Sequence, residues 1–219
     1  MREGYARIES NEMIARAYVN LDREQDRKNK ITISVLEDAG LVHGIYLICD
    51  HDVETKGLIH WMPHWIDQLA VQGHMDVRLH VQGGLDHDVY EGGADCLGDA
   101  YKKAFGNKLG IKRGGYSIWN MEGVRAVLSL DLPGRPNYSG ETKIKNYVLN
   151  EMIHHFLNNL AYHMGMDLQY EVEITNKLRA NDHHKAEAIF KALAKALDEA
   201  RIIHPLSTGQ IPSTKDTIA

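Results

Sequence analysis

The chain of 219 residues contains one motif twice. Asp182-His183-His184-Lys185-Ala186-Glu187 has a second copy, 96 residues upstream, in Asp86-His87-Asp88-Val89-Tyr90-Glu91. The flanks repeat as well, at an offset of 91: His64-Trp-Ile-Asp-Gln-Leu-Ala matches His155-Phe-Leu-Asn-Asn-Leu-Ala, and Met75-Asp-Val-Arg-Leu-His-Val matches Met166-Asp-Leu-Gln-Tyr-Glu-Val. An internal repeat of this kind constrains the fold more than composition does, because each unit must adopt the same local structure. Each half is predicted to run as a helix beginning with His64 or His155, a strand, a turn, the motif, and a long helix. No flexible linker divides the halves, so 1–105 and 106–219 are expected to pack as one domain.

After the second motif, Ile189, Leu193, Leu197 and Ile202 fall on one stripe, the period of a core-facing helix. At that pitch His183 and Glu187, four residues apart, share a face and can chelate one ion; His87 and Glu91 do the same. His184 is turned roughly 100° away and is free to serve a second ion. A single motif reads equally as a polar helix start with Asp182 as its cap. Eight candidate ligand residues at repeated spacings do not. The metal-ligand candidates are therefore His64, His87, Asp88, Glu91, His155, His183, His184 and Glu187, with Asp88, His184, His64 and His155 able to complete two sites by crossing between halves or subunits. Imidazole with carboxylate suits Mn, Fe or Zn; Ca and Mg favour all-oxygen sites.

Lys191 lies one turn past Glu187, on the metal-facing side of its helix. A cation beside a metal site suits a phosphorylated or carboxylated ligand. Arg113, Arg135 and the tail Ser213-Thr214-Lys215 are further basic or hydroxyl groups, each alone explained as a solvated residue. The net charge of -5 argues against nonspecific nucleic-acid binding. Cys49 and Cys96 give no disulfide framework and read as inert thiols in a reducing compartment, so a cytoplasmic location is expected. The first thirty residues carry charges throughout with no apolar core of a signal peptide, and no run is long and apolar enough to cross a membrane.

In chain order, strands are predicted over Met13 to Leu21, residues 31–35, 76–82, 124–132 and 166–174, with 41–50 a further strand or short buried element. Helices are predicted from WIDQLAVQG, from the first motif to about Phe105, over 146–163, and from the second motif onward. Residues 106–119 read as a glycine-rich basic stretch, and the tail PLSTGQIPSTKDTIA as a disordered end.

The motifs together resemble the imidazoleglycerol-phosphate dehydratase family. The resemblance rests on Glu12-Met13, PHWIDQ (63–68), HDVYEG (87–92), Gly110-Ile-Lys-Arg113, PGRP (133–136), His155-Phe-Leu, HHKAEAIFKALAKAL (183–197) and PSTKD (212–216), spread over nearly the whole chain. It implies an α+β fold of two similar halves, each a four-stranded sheet with two helices on one face (ribosomal protein S5 domain 2-like). It also implies two manganese ions on the histidines and carboxylates named above. Phosphate contacts are implied for Arg113, Arg135, Lys191, Ser213 and Lys215, with Gln68 near the substrate. The implied reaction is dehydration of imidazoleglycerol phosphate to imidazole acetol phosphate in histidine biosynthesis, with Glu12 and Glu187 as candidates for proton transfer. Trimers closing into a shell of twenty-four, with sites between subunits, are implied too. The sequence departs from the family pattern at Asp88 and Gly92, and at Asn120-Met-Glu-Gly, where Glu122 is the nearest acid. It also carries extra length within 22–57. Two other classes use the same ligands: a dimetal enzyme on another phosphorylated substrate, such as a phosphoester hydrolase, and a non-catalytic metal-assembled protein.

Overall fold

Strand β1, Glu3–Glu9, opens the chain, which is a computed structural model describing residues 2–11, 13–22, 45–48, 61–83 and 85–215. β2 (Met13–Asn20), β3 (Ile45–Ile48) and β4 (Asp76–Gly83) complete a sheet of order β1-β2-β4-β3, antiparallel throughout. β5 (Gly115–Met121), β6 (Val124–Asp131), β7 (Asn137–Glu141) and β8 (Asp167–Ile174) build a second, in the order β5-β6-β8-β7. Its edge strand differs, since β7 runs parallel to β8. Four helices pack against them: α1 (Trp61–Gln72), α2 (Asp86–Phe105), α3 (Tyr147–Met164) and α4 (Asp182–Ala200). The architecture is α+β with two four-stranded sheets, as the sequence led us to expect.

The repeat extends to features that sequence comparison alone did not register. β1 meets α2 where a Cβ on Gly4 would lie 1.9 Å from the Ala100 carbonyl oxygen; β5 meets α4 where a Cβ on Gly115 would lie 2.0 Å from that of Ala196. Only glycine permits so close an approach of strand to helix backbone. The helices meet in a buried aromatic cluster. Trp65 of α1 stacks on Phe190 of α4 at 4.5 Å between centroids, and meets Tyr90 of α2 and Phe156 of α3 at 5.4 and 5.9 Å. The helix seams cross the repeat: α1 packs on α4, and α2 on α3.

Three strands were not anticipated. β1 turns mainly Gly4 and Ala6 inward, too little apolar bulk to register as a strand. β7 (NYSGE) is a polar edge strand with no buried residue. β5 lay inside the stretch read as glycine-rich, and it presents Tyr116 and Ile118 outward. The tail is not a free end as far as Lys215. Gly110 N donates to Gln210 O at 2.7 Å, His204 N to Gly110 O at 2.7 Å, and Arg113 Nη1 to Pro212 O at 2.8 Å. His155 lies in the middle of α3, and His64 is the fourth residue of α1, so neither begins its helix. The cap of α4 is Asn181, whose side chain accepts from His184 N. Asp182 is instead the first helical residue; its carboxylate receives the Lys145 and Asn146 amides and the Lys185 ammonium. The strand expected at 31–35, Cys49 and Glu12 lie outside the described residues. Cys96 is buried, and desolvation pushes its thiol up to about 11, consistent with an inert side chain.

Candidate functional site

The two buried aromatics of the repeat, Trp65 and Phe156, fix the helix faces on either side of them. Each is preceded by a histidine turned roughly 100° toward the neighbouring helix. His64 on α1 thereby reaches the start of α4, and His155 on α3 reaches the start of α2. The result is two clusters, His64–His183–Glu187 and His87–Glu91–His155.

In the first cluster Glu187 Oε2 lies 3.1 Å from His183 Nε2 and 3.7 Å from His64 Nε2. The two imidazoles are stacked with centroids 5.3 Å apart, and Trp61 backs His183 at 5.2 Å. Glu187 Oε1 faces away from the histidines and accepts from Lys191 Nζ at 2.7 Å. Lys191 in turn lies 5.6 Å from the centre of the Trp119 ring. Burial alone would raise the Glu187 carboxyl, but the Lys191 ammonium, with help from the two imidazoles, holds it below the usual carboxylate range.

In the second cluster Glu91 Oε1 takes both contacts, 2.7 Å from His155 Nδ1 and 3.4 Å from His87 Nε2. The imidazoles meet edge to face at 4.7 Å. Beyond His155 opens a shallow cavity of about 240 Å³ lined by Tyr138, Glu151, His154, His155 and Asn158. Tyr138 Oη bridges His154 Nδ1 at 2.6 Å and Tyr170 Oη at 2.9 Å. None of Trp61, Trp119, Tyr138 and His154 was singled out from the sequence. Trp119 and Tyr138 sit on strands that went unrecognised; His154 had a visible signal, its place beside His155.

Both clusters fit a divalent transition-metal ion. In each cluster the three candidate ligand atoms lie within 4.8 Å of one another, so one ion can be reached by all three. His64 Nε2 is buried and has no hydrogen-bond partner among the described residues, although the Glu187 carboxylate lies 3.7 Å away. A buried nitrogen left in that state is costly unless another group engages it. Two imidazoles with one carboxylate is a donor set for Mn, Fe or Zn.

Asp88 and His184 stand apart from both clusters. Asp88 Oδ1 is 3.9 Å from His87 Nδ1, too far for a hydrogen bond. His184 turns its Nδ1 to the Arg179 carbonyl at 3.1 Å and lies 4.0 Å from Glu122. Gln68 is one turn beyond His64 on α1 and half-buried. Arg113, with a left-handed φ of 70°, forks onto Asp131 at 2.6 and 2.9 Å and holds the tail through the Pro212 carbonyl. It thereby fixes the base of the segment carrying Ser213 and Lys215, whose amide donates to Ser213 Oγ at 3.2 Å. Arg135 is exposed in the turn after β6.

Fold and site define an α+β protein whose two repeat-related helix seams each carry a His–His–carboxylate cluster suited to a divalent ion. The sequence model of imidazoleglycerol-phosphate dehydratase matches residues 58–197, and the chain belongs to that family. The imidazoleglycerol-phosphate dehydratase of Methanothermobacter thermautotrophicus is 36% identical over 163 residues, covering 71% of this chain and 79% of that protein. The enzyme of the same name from Bacillus licheniformis is 36% identical over 171 residues, 75% of this chain and 84% of the relative. The crystal structure of IGPD from Pyrococcus furiosus superposes with a TM-score of 0.70 at 20% identity, over 97% of this chain and 99% of the other, and shows the same fold.

Proposed function

We propose that this chain is a hydro-lyase converting imidazoleglycerol phosphate to imidazole acetol phosphate in histidine biosynthesis. The observation that carries the reading is its 36% identity to imidazoleglycerol-phosphate dehydratases over about three-quarters of the chain. The paired clusters support it. His64, His183 and Glu187 would hold one divalent ion and His87, Glu91 and His155 another, with manganese the metal expected of the family. Bound there, such ions supply Lewis acidity and a template for the substrate's imidazole ring.

The reaction removes a carbon-bound proton and a hydroxyl from neighbouring carbons, and the enol so formed tautomerises to the ketone. No carbonyl adjoins the carbon that loses its proton, so the C–H electron pair passes into the new carbon–carbon double bond. The hydroxyl leaves the carbon beside the ring and is protonated to water, a departure that electron release from the adjoining imidazole ring assists. A carboxylate must accept the carbon-bound proton. Glu187 is held toward its ionised form, but His183 and Lys191 already engage it, so its service as ligand competes with service as base. That leaves Glu12 as the preferred acceptor. Lys191, Arg135, Ser213 and Lys215 bind the phosphate and fix the substrate's far end, contributing position rather than bond-making. Arg113 sets the tail that carries two of these groups. Asp88 and His184 belong to neither of their own chain's clusters, which accords with sites completed between subunits of a larger assembly.

The test is turnover of imidazoleglycerol phosphate by the manganese-loaded protein, followed as formation of the keto product. Activity lost on chelation and restored by metal is the expected result. Release of inorganic phosphate without ketone would make the protein a hydrolase and overturn the reading.

A further inference from the structure

The two clusters are alike in their ligands and opposite in what lies one helical turn beyond. On α4 the residue after Glu187 on the same face is Lys191; on α2, after Glu91, it is Asp95. Across the seam the partners correspond too, Gln68 on α1 and Asn159 on α3. At α2·α3 the second rung is closed, because Asn159 Nδ2 donates to Asp95 Oδ1 at 2.9 Å and His163 Nε2 lies 3.3 Å from the same oxygen. At α1·α4 it is an ammonium, its side chain only 15% exposed, resting on the face of Trp119 and on Glu187 Oε1.

Glu187 is therefore shared. One oxygen faces the two histidines and the other faces Lys191, so an ion between His64, His183 and Glu187 would draw on the carboxylate that neutralises the ammonium. Two cations on one carboxylate weaken each other's hold, and a largely buried ammonium that loses its counter-charge is costly to leave unpaired. An anion arriving at Lys191 relieves both. Among the described residues Glu91 has no such competitor; its ion-pair contacts there are the two imidazoles.

We infer that Lys191 couples the His64–His183–Glu187 cluster to an anion, so that a divalent ion there and a phosphate group at Lys191 bind cooperatively, while the His87–Glu91–His155 cluster takes its ion independently. This rests on the reading of both clusters as metal sites. It makes the first cluster the weaker until phosphate arrives, and it orients a phosphorylated substrate with its anionic end toward α4. By reciprocity, metal at this cluster tightens phosphate by the same factor as phosphate tightens metal.

The experiment uses the full chain loaded with Mn²⁺ and an equilibrium competition against a chelator, with and without inorganic phosphate, following free Mn²⁺ by its paramagnetic resonance signal. Wild type should show two classes of ion, assigned by Glu187→Gln and Glu91→Gln, with phosphate tightening only the class lost in Glu187→Gln, by about tenfold for one charged contact. Lys191→Met, which keeps the stem against Trp119, should tighten that class without phosphate and abolish the phosphate effect. Phosphate acting equally on both classes overturns the coupling. So does a phosphate effect surviving in Lys191→Met, since the anion would then be ligating the metal directly. If both glutamine variants hold as much metal as wild type, the clusters are not metal sites, and the reading of the site falls with the coupling. Two classes insensitive to phosphate sink the coupling alone.

Discussion

The α1·α4 and α2·α3 seams are two solutions to one problem. Both anchor a helix pair on a buried aromatic, Trp65 or Phe156, and both set a histidine from one helix against a His-x-x-x-Glu face on the other. Beyond that rung they part. The α2·α3 seam continues as a polar ladder in which His163 lies 3.0 Å from Asp99 and 3.3 Å from Asp95, and Asn159 donates to Asp95. Burial pushes the Asp95 carboxyl up, against the pull of His163 and Asn159. The α1·α4 seam offers Gln68, Lys191 and Trp119 instead. The ligand rung is what the two halves share, and the next rung distinguishes a seam closed on itself from one left with a cation for a ligand.

The largest effect should come from breaking each ligand rung in turn. Glu187→Gln and Glu91→Gln should each remove about one of two bound ions and lower turnover by at least roughly a hundredfold, the scale of losing a central catalytic group. Metal analysis with steady-state rates checks it. If only one variant loses metal, the seams are not equivalent at the ligand rung and the repeat has kept one site as scaffold.

Next in size are the aromatic anchors. Trp65→Ala should destabilise by about 3–5 kcal/mol, the usual range for emptying a large core aromatic. Phe156→Ala should fall at the lower end, since Phe156 meets two of the cluster's rings where Trp65 meets three. Denaturant midpoints at one fixed protein concentration measure both, because assembly adds to apparent stability. Equal losses would show that the aromatic cluster does not favour the α1·α4 seam.

A smaller effect sharpens the functional half of the comparison. Arg135→Ala or Lys215→Ala should weaken substrate by about 1.5–3 kcal/mol, the cost of a charged hydrogen bond, and leave metal content unchanged. Loss of metal with substrate affinity intact would remove both residues from phosphate binding.

How much of this was legible in the sequence follows from where the signals lie. The helices and central strands were readable because their apolar periods are strong, and His183–Glu187 and His87–Glu91 because an i,i+4 pair is a one-helix property. That His64 would join α4 and His155 would join α2, and not the reverse, depends on helix seams that no local spacing encodes. β1 and β7 were hidden by their composition, one packing through Gly4 and Ala6 and the other polar along a sheet edge. The tail looked unstructured because its anchors are backbone groups of Gly110 and the guanidinium of Arg113, nearly a hundred residues away.

The last comparison is between the two arginines that open the sheets. Arg2 stands two residues before Gly4 as Arg113 stands two before Gly115, and each closes the open end of a strand pair onto an aspartate. Arg2 donates to Asp22 through Nη2 at 2.5 Å, Nε at 3.0 Å and its amide at 2.8 Å, and through Nη1 to the Arg201 carbonyl at 2.6 Å. The Arg2 side chain thereby holds the Asp22 carboxyl below its usual range, outweighing the opposing effect of burial. A carboxyl depressed in the folded state binds protons more tightly once unfolded, so its contribution is present above the unfolded value, about pH 3.9, and is lost as pH falls through the folded one. Asp22 is 37% exposed, so solvent screening limits the effect to about 0.5 kcal/mol. Asp22→Asn should therefore lower the denaturation midpoint slightly near neutrality, and the two proteins should converge in acid. A difference that persists undiminished below the folded value would mean that the clamp works through packing, and that the charge on Asp22 does not contribute to it.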